Sequence, residues 1–179
     1  MSRFSKTQTI AFSGLFIALA AVLSFFSVPI SSILEIRFAI IPIAICGYML
    51  GPVATGIVGG AADVVGYLVK PTGPFFPGFT ISNIISGVIF GLMLHNKKVT
   101  LWRTLLATII QSFAVGILLN SLWLSILYGN AFPVVLATRI VKELIMIPIN
   151  TAIFMAILVP LSKSRIIPTG KKLAKSEAK

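Results

Sequence analysis

Six stretches of this chain are apolar enough to belong in lipid: residues 10–28, 38–50, 53–69, 79–94, 101–128 and 134–161. A helix rises 1.5 Å per residue, so about 20 apolar residues cross the ~30 Å hydrocarbon core of a bilayer. Backbone buried in lipid must satisfy its own hydrogen bonds, and a helix does so within one segment. These stretches therefore predict an all-α, polytopic membrane protein, a bundle of six transmembrane helices. Residues 1–179 then form a single integral membrane domain, with 162–179 as a basic tail. The second stretch is short, and only "LGP" at residues 50–52 joins it to the third, so five spans is the competing count. Composition agrees: 57% of the residues are hydrophobic and 11% charged, against roughly 45–50% apolar in globular chains.

The net charge of +11 raises nucleic acid as a partner, and the placement of the charge argues against it. Arg3 and Lys6 precede the first span; Lys97, Lys98 and Arg103 lie in the fourth connection; Lys163, Arg165, Lys171, Lys172, Lys175 and Lys179 follow the last span. In a six-span chain these segments share one side, leaving Arg37, Lys70, Arg139 and Lys142 near the other. That is positive-inside asymmetry, with both termini cytoplasmic in the cell membrane and lipid as the neighbour.

Chemistry of the usual catalytic kinds is thinly supplied. The chain has one cysteine, Cys46, and one histidine, His95, so neither a disulfide within the chain nor a metal cluster is expected. Its four carboxylates, Glu35, Asp63, Glu143 and Glu177, form no pair suited to acid–base work. No G-x-x-x-x-G-K-[ST] phosphate loop is present, so uphill movement of a solute would draw on an ion gradient or on a partner. The expectation is a protein that is not an enzyme and uses no cofactor.

Between the third and fourth spans stands "KPTGPFFPGFT", residues 70–80. Its prolines and glycines predict a stretch that is not helical, yet its phenylalanines are unusual in a solvated loop. It is either a rigid aromatic cover over a site or a hydrophobic loop packed on the end of the bundle.

Polar groups inside spans are costly and are read first as functional. Asp63 lies one turn from Tyr67, either as a hydrogen-bonded strut or as a ligand contact. Arg139, Glu143, Met146 and Asn150 share one face of the sixth span, with Lys142 at its edge. Arg139 and Glu143, four apart, are placed to neutralise one another, which would leave Lys142 unmatched and the face net positive. An anionic solute would explain that charge. Gly116, Asn120 and Trp123 share a face of the fifth span, where Trp123 is either a headgroup anchor or a stacking surface beside an amide. In the first span Ala11, Gly14, Ala18 and Ala21 fall within about 80° of the helix circumference, a stripe that lets another helix backbone approach closely. It serves either the chain's own bundle or a partner subunit. Gly56, Gly60, Asn83, Gly87 and Gly91 read mainly as internal packing.

"LGPVATGIVGGAADVVGYLV" followed by "PTGPFFPGFTISNIISGVIFGL" resembles the substrate-binding S components of energy-coupling factor (ECF) vitamin transporters. The likeness is strongest to the folate-specific branch, through "FPGFT" at residues 76–80, "RIVKELIMIPIN" at 139–150 and "IP" at 41–42. The resemblance implies a six-helix protein with a ligand cavity on the extracellular side. It also implies delivery inward with a transmembrane coupling subunit and two cytoplasmic ATPases. The family's A-x-x-x-A docking motif is replaced by Gly14-x-x-x-Ala18, pointing to Ala11, Gly14, Ala18 and Ala21 as the docking stripe. For folate, with a flat pterin ring and two carboxylates, the expected tail ligands are Arg139, then Lys142, then Arg37. Phe76, Asn83, Asn120 and Trp123 are expected at the ring, with Glu143, Asp63 and Asn150 completing the site. The alternatives are an S component for another vitamin, a small gradient-driven carrier acting alone, and a structural membrane subunit.

Overall fold

The computed structural model describes residues 4–26, 28, 29, 35, 36, 38–71 and 73–163. Helix α1 (Lys6–Ser24) opens on a capping box in which Ser5 Oγ accepts from Gln8 N–H while Gln8 Oε1 accepts from Ser5 N–H. Those two side chains satisfy backbone donors that the helix itself leaves open, so α1 begins four residues ahead of its apolar run.

Helix α2 (Ile40–Leu50) has 11 residues, which reach about 16 Å, or half the hydrocarbon core. It stops at Gly51, whose φ of +88° suits glycine and little else, and Pro52 then starts α3 (Pro52–Val69) at its first turn. Helix α4 (Pro77–Leu94) likewise starts on a proline, where the missing N–H is not needed. The expectation that residues 70–80 stay out of a helix therefore needs correcting: the last four, from Pro77, form the first turn of α4, where a proline gives up no hydrogen bond.

Helix α5 (Leu101–Tyr128) is continuous but not uniform, since residues Ser112–Leu119 wind as a π-helix. Helix α6 (Phe132–Lys163) runs 32 residues with Pro148 and Pro160 inside it. At about 48 Å it is longer than the bilayer core and must tilt or project. By length and composition five of these helices can cross a membrane, and α2 is the short exception. Between α1 and α2 the expectation of a purely helical chain needs a small correction: Val28–Pro29 pairs antiparallel with Glu35–Ile36.

The helices alternate direction, and the two ends differ. At one end Phe4, Met49, Leu94 and Leu158 join Phe90 and Phe154 in an apolar core, the last two rings meeting edge to face at 5.4 Å. At the other end the helices part around a cavity.

Along α3 and α4 the separation is set by glycine. A Cβ on Gly59 would strike the backbone of Asn83, one on Gly87 the backbone of Thr55, and one on Gly91 the backbone of Pro52. The small residues of these spans pack internally, as expected from the sequence. Helix α1 is different: Ala11, Gly14 and Ala18 are exposed, and a Cβ on Gly14 would meet nothing within 4 Å. Ala21, grouped with them by spacing, is buried, near the end of α1 where a Cβ on Gly66 of α3 would meet Ser24 Oγ at 3.0 Å.

Candidate functional site

The cavity holds about 230 Å³, just under the ~300–1,000 Å³ of ordinary small-molecule sites. Helices α3, α4, α5 and α6 supply most of its wall. Asp63, Phe76, Asn83, Asn120, Arg139, Lys142, Glu143 and Asn150, widely separated in sequence, all line it. Of the remaining expected site residues, Trp123 lies behind the wall and Arg37 lies outside the described residues.

On the α3–α4 side, both oxygens of Asp63 are engaged. Its Oδ2 accepts from Thr80 Oγ1 and its Oδ1 from Asn83 Nδ2, each at 2.7 Å. Charge-assisted bonds of this length are strong, so Asp63 pins α4 to α3 and presents Asn83 at the cavity. This is the strut reading of Asp63.

The aromatic surface is Phe76, just ahead of α4. Trp123 packs on it from α5, with ring centroids 5.7 Å apart, and donates its indole N–H to Ser82 Oγ at 3.1 Å. The tryptophan is therefore a brace for Phe76. Gly78 makes this possible, because a Cβ there would run into both rings. Phe75 and Phe79 also reach the cavity, and Phe75 packs on Tyr67 at 5.2 Å. At the rim Lys70 Nζ donates to the backbone oxygen of Phe25 at 3.2 Å, tying the end of α3 to the end of α1.

The charged side is α6. Arg139 and Glu143 are 8% and 7% exposed, and Lys142 Nζ lies 3.6 Å from Glu143 Oε1. The sequence reading left Lys142 unmatched; the structure pairs it with its neighbour. Adjacent helix positions diverge by about 100°, but a flexible four-carbon stem lets the ammonium curl back.

Helix α5 closes the circuit with Asn120, whose Oδ1 is buried with no hydrogen-bond partner among the described residues. An unpaired buried acceptor costs roughly 1–3 kcal/mol, and a ligand donor would relieve it. Deeper in the bundle Gln111 Nε2 donates to Ser86 Oγ at 3.4 Å, and both line the cavity. Neither residue was singled out from the sequence, although a glutamine within an apolar span was a usable signal. Tyr67 and Tyr128, also cavity residues, offered none, since tyrosines near span ends ordinarily anchor at the headgroups.

An aromatic wall, amides with donors and acceptors, and a buried charged cluster can together hold a flat polar heterocycle carrying an anionic group. Fold and site define an integral membrane helical bundle built around a small-solute cavity. The family model for "ECF transporter, substrate-specific component" matches residues 8–158, and the chain belongs to that family of transport proteins. It is 40% identical over 148 residues to "Folate transporter FolT" of Clostridium novyi (strain NT), covering 83% of this chain and 86% of that one. It is 30% identical over 153 residues to the protein of the same name from Leuconostoc mesenteroides, covering 82% of each. Among solved structures, "Crystal structure of FolT bound with folic acid" superposes with a TM-score of 0.77 at 36% identity, over 83% of this chain and 90% of that one. "Structure and mechanism of the S component of a bacterial ECF transporter" superposes at 0.67 and 22% identity, covering 89% and 98%, a likeness of fold.

Proposed function

We propose that this chain is the folate-capturing subunit of an ECF-type uptake transporter. The single observation that carries the reading is the cavity: Phe76, Asn83, Asn120 and the Arg139/Lys142/Glu143 cluster converge in a chain that is 40% identical to a folate transporter. A pterin ring lies on Phe76, braced by Trp123, with its donors and acceptors met by Asn83 and Asn120. The two carboxylates of the tail need cations, since burying them unpaired would cost several kcal/mol. Arg139 is the first candidate, because a guanidinium grips a carboxylate in two places. Lys142 and Arg37 follow it, Glu143 and Asn150 complete the site, and Asp63 supports it by presenting Asn83. Folate is too long to be enclosed in about 230 Å³, so part of it reaches the rim.

Calorimetric titration of the purified protein tests the reading. Folate should bind tightly and an unrelated vitamin should not. Tight binding of a different vitamin, or of none, would overturn it.

The cavity opens to the outside, and both termini and the basic tail at 162–179 face the cytoplasm, within one integral membrane domain. Cysteines introduced at Ser2 and Lys98 should then be labelled only after permeabilisation. Having no phosphate loop of its own, the chain delivers its ligand with a transmembrane coupling subunit and two cytoplasmic ATPases. The docking stripe is Ala11, Gly14 and Ala18, which are exposed on α1; Ala21 borders it from inside. Ala18→Trp should abolish assembly with the coupling subunit while sparing folate binding. Loss of binding together with assembly would mean that the stripe serves the chain's own packing.

A further inference from the structure

The charged cluster on α6 faces an irregular part of α5. Within the π segment Ser112–Leu119, both Val115 and Gly116 line the cavity. A π turn hydrogen-bonds i→i+5, which widens the helix locally, and such turns recur at functional positions. Here the widened turn sets the bare backbone of Gly116 against the carboxylate of Glu143. A Cβ on Gly116 would stand 2.6 Å from Glu143 Cδ, 2.7 Å from Oε1 and 3.0 Å from Oε2. Oε1 is also the oxygen that Lys142 approaches at 3.6 Å.

We infer that Gly116 is a positioning residue for ligand binding: its missing side chain is the seat that holds the Glu143 carboxylate at the cavity wall beside Lys142. This rests on the reading of the cavity as a folate site and assigns a cause to its geometry. An ionised carboxylate has about four acceptor positions. One seated at the wall can meet Lys142 and still accept from donors on the edge of a flat heterocycle. A methyl group on Gly116 would evict it. The other bundle glycines that meet backbone, such as Gly59, Gly87 and Gly91, leave no such freedom. At Gly116 the neighbour is the far end of a flexible side chain, which can move aside without disturbing the helices. Alanine is also the better helix former. The substitution should therefore spare the fold and move the carboxylate.

The test uses the full chain and four proteins: wild type, Gly116→Ala, Glu143→Asp and the double variant, each titrated with folate and each melted without it. Gly116→Ala should weaken folate by about tenfold to a hundredfold, the range of a lost hydrogen bond to a charged group, with its melting temperature unchanged or raised. Glu143→Asp should weaken folate in the wild-type background, because the shorter side chain leaves the seat unfilled. In the Gly116→Ala background the same substitution should strengthen binding, because aspartate draws its carboxylate back from the new methyl. That reversal of sign is not expected of a glycine needed only for packing. Wild-type affinity in Gly116→Ala, additive losses in the double variant, or a melting temperature that falls with the affinity would each overturn the inference while the folate reading stands. A wild-type chain that binds no folate would overturn both.

Discussion

Helices α3 and α4 meet along glycines, whereas α5 and α6 meet across charges. On the first pair, Gly59, Gly87 and Gly91 leave no space for even one carbon atom before the opposing backbone, and Asp63 ties the helices with two short hydrogen bonds. On the second pair, a π turn interrupts the regular winding of α5, α6 carries Pro148 and Pro160 within a continuous helix, and Arg139 and Glu143 are buried at the cavity. The contrast shows how one bundle can be both rigid and hollow. Small residues let regular helices close completely, so no solute fits there. Large polar residues need room and partners, and irregular backbone supplies the room. The cavity lies where the two kinds of packing adjoin, with Asn83 facing it from the closed pair and Glu143 from the open one.

The comparison breaks most visibly on the closed side. Gly87→Val would drive a branched side chain into the backbone of Thr55 and Gly56, which cannot move aside. A cost of about 3 kcal/mol or more is a large share of the ~5–15 kcal/mol that holds a typical protein folded. We expect loss of the monodisperse species in size-exclusion chromatography, and a well-folded Gly87→Val would show that the seam is looser than its geometry implies.

The open side should respond in affinity. Arg139→Ala removes a buried cation, and losing one member of a buried charged contact costs about 2–5 kcal/mol, roughly thirtyfold or more in Kd. Folate should suffer far more than a pterin fragment without the glutamate. Equal losses for both in parallel titrations would make the arginine a structural member of the α6 cluster.

Trp123→Ala sits between the two regimes, since it removes the brace behind Phe76. An aromatic pair adds about 0.5–1.5 kcal/mol beyond area burial, so both folate and the pterin fragment should lose about three- to tenfold. An unchanged affinity for the fragment would mean that the ring does not rest on Phe76.

The smallest effect on affinity belongs to Asp63→Asn. An amide keeps the shape and can still accept from Asn83, but its NH2 must then donate to the Thr80 hydroxyl, so one bond reverses and both lose their charge assistance. Thermal unfolding should report a loss of about 1–3 kcal/mol, with folate affinity nearly intact. A large drop in affinity with unchanged stability would make Asp63 a ligand contact.

The sequence by itself determined the helices, their short connections and the identities of the asparagines and most of the charged residues at the cavity. Those follow from local physics: lipid demands long apolar stretches, glycine and proline punctuate them, and a charge within such a stretch stands out wherever it is. It also carried the family resemblance, through contiguous motifs that need no third dimension. The π turn, the Lys142–Glu143 pair, the bracing role of Trp123, the burial of Ala21 and the contact between Gly116 and Glu143 were decided only by the tertiary structure. Each depends on which face of a helix meets which neighbour, and at what distance. Periodicity can group Gly116 with Asn120 and Trp123, but cannot reveal that 27 residues further along a carboxylate returns to lie against it. Spacing along a helix gives direction; the space left between two helices is a property of both.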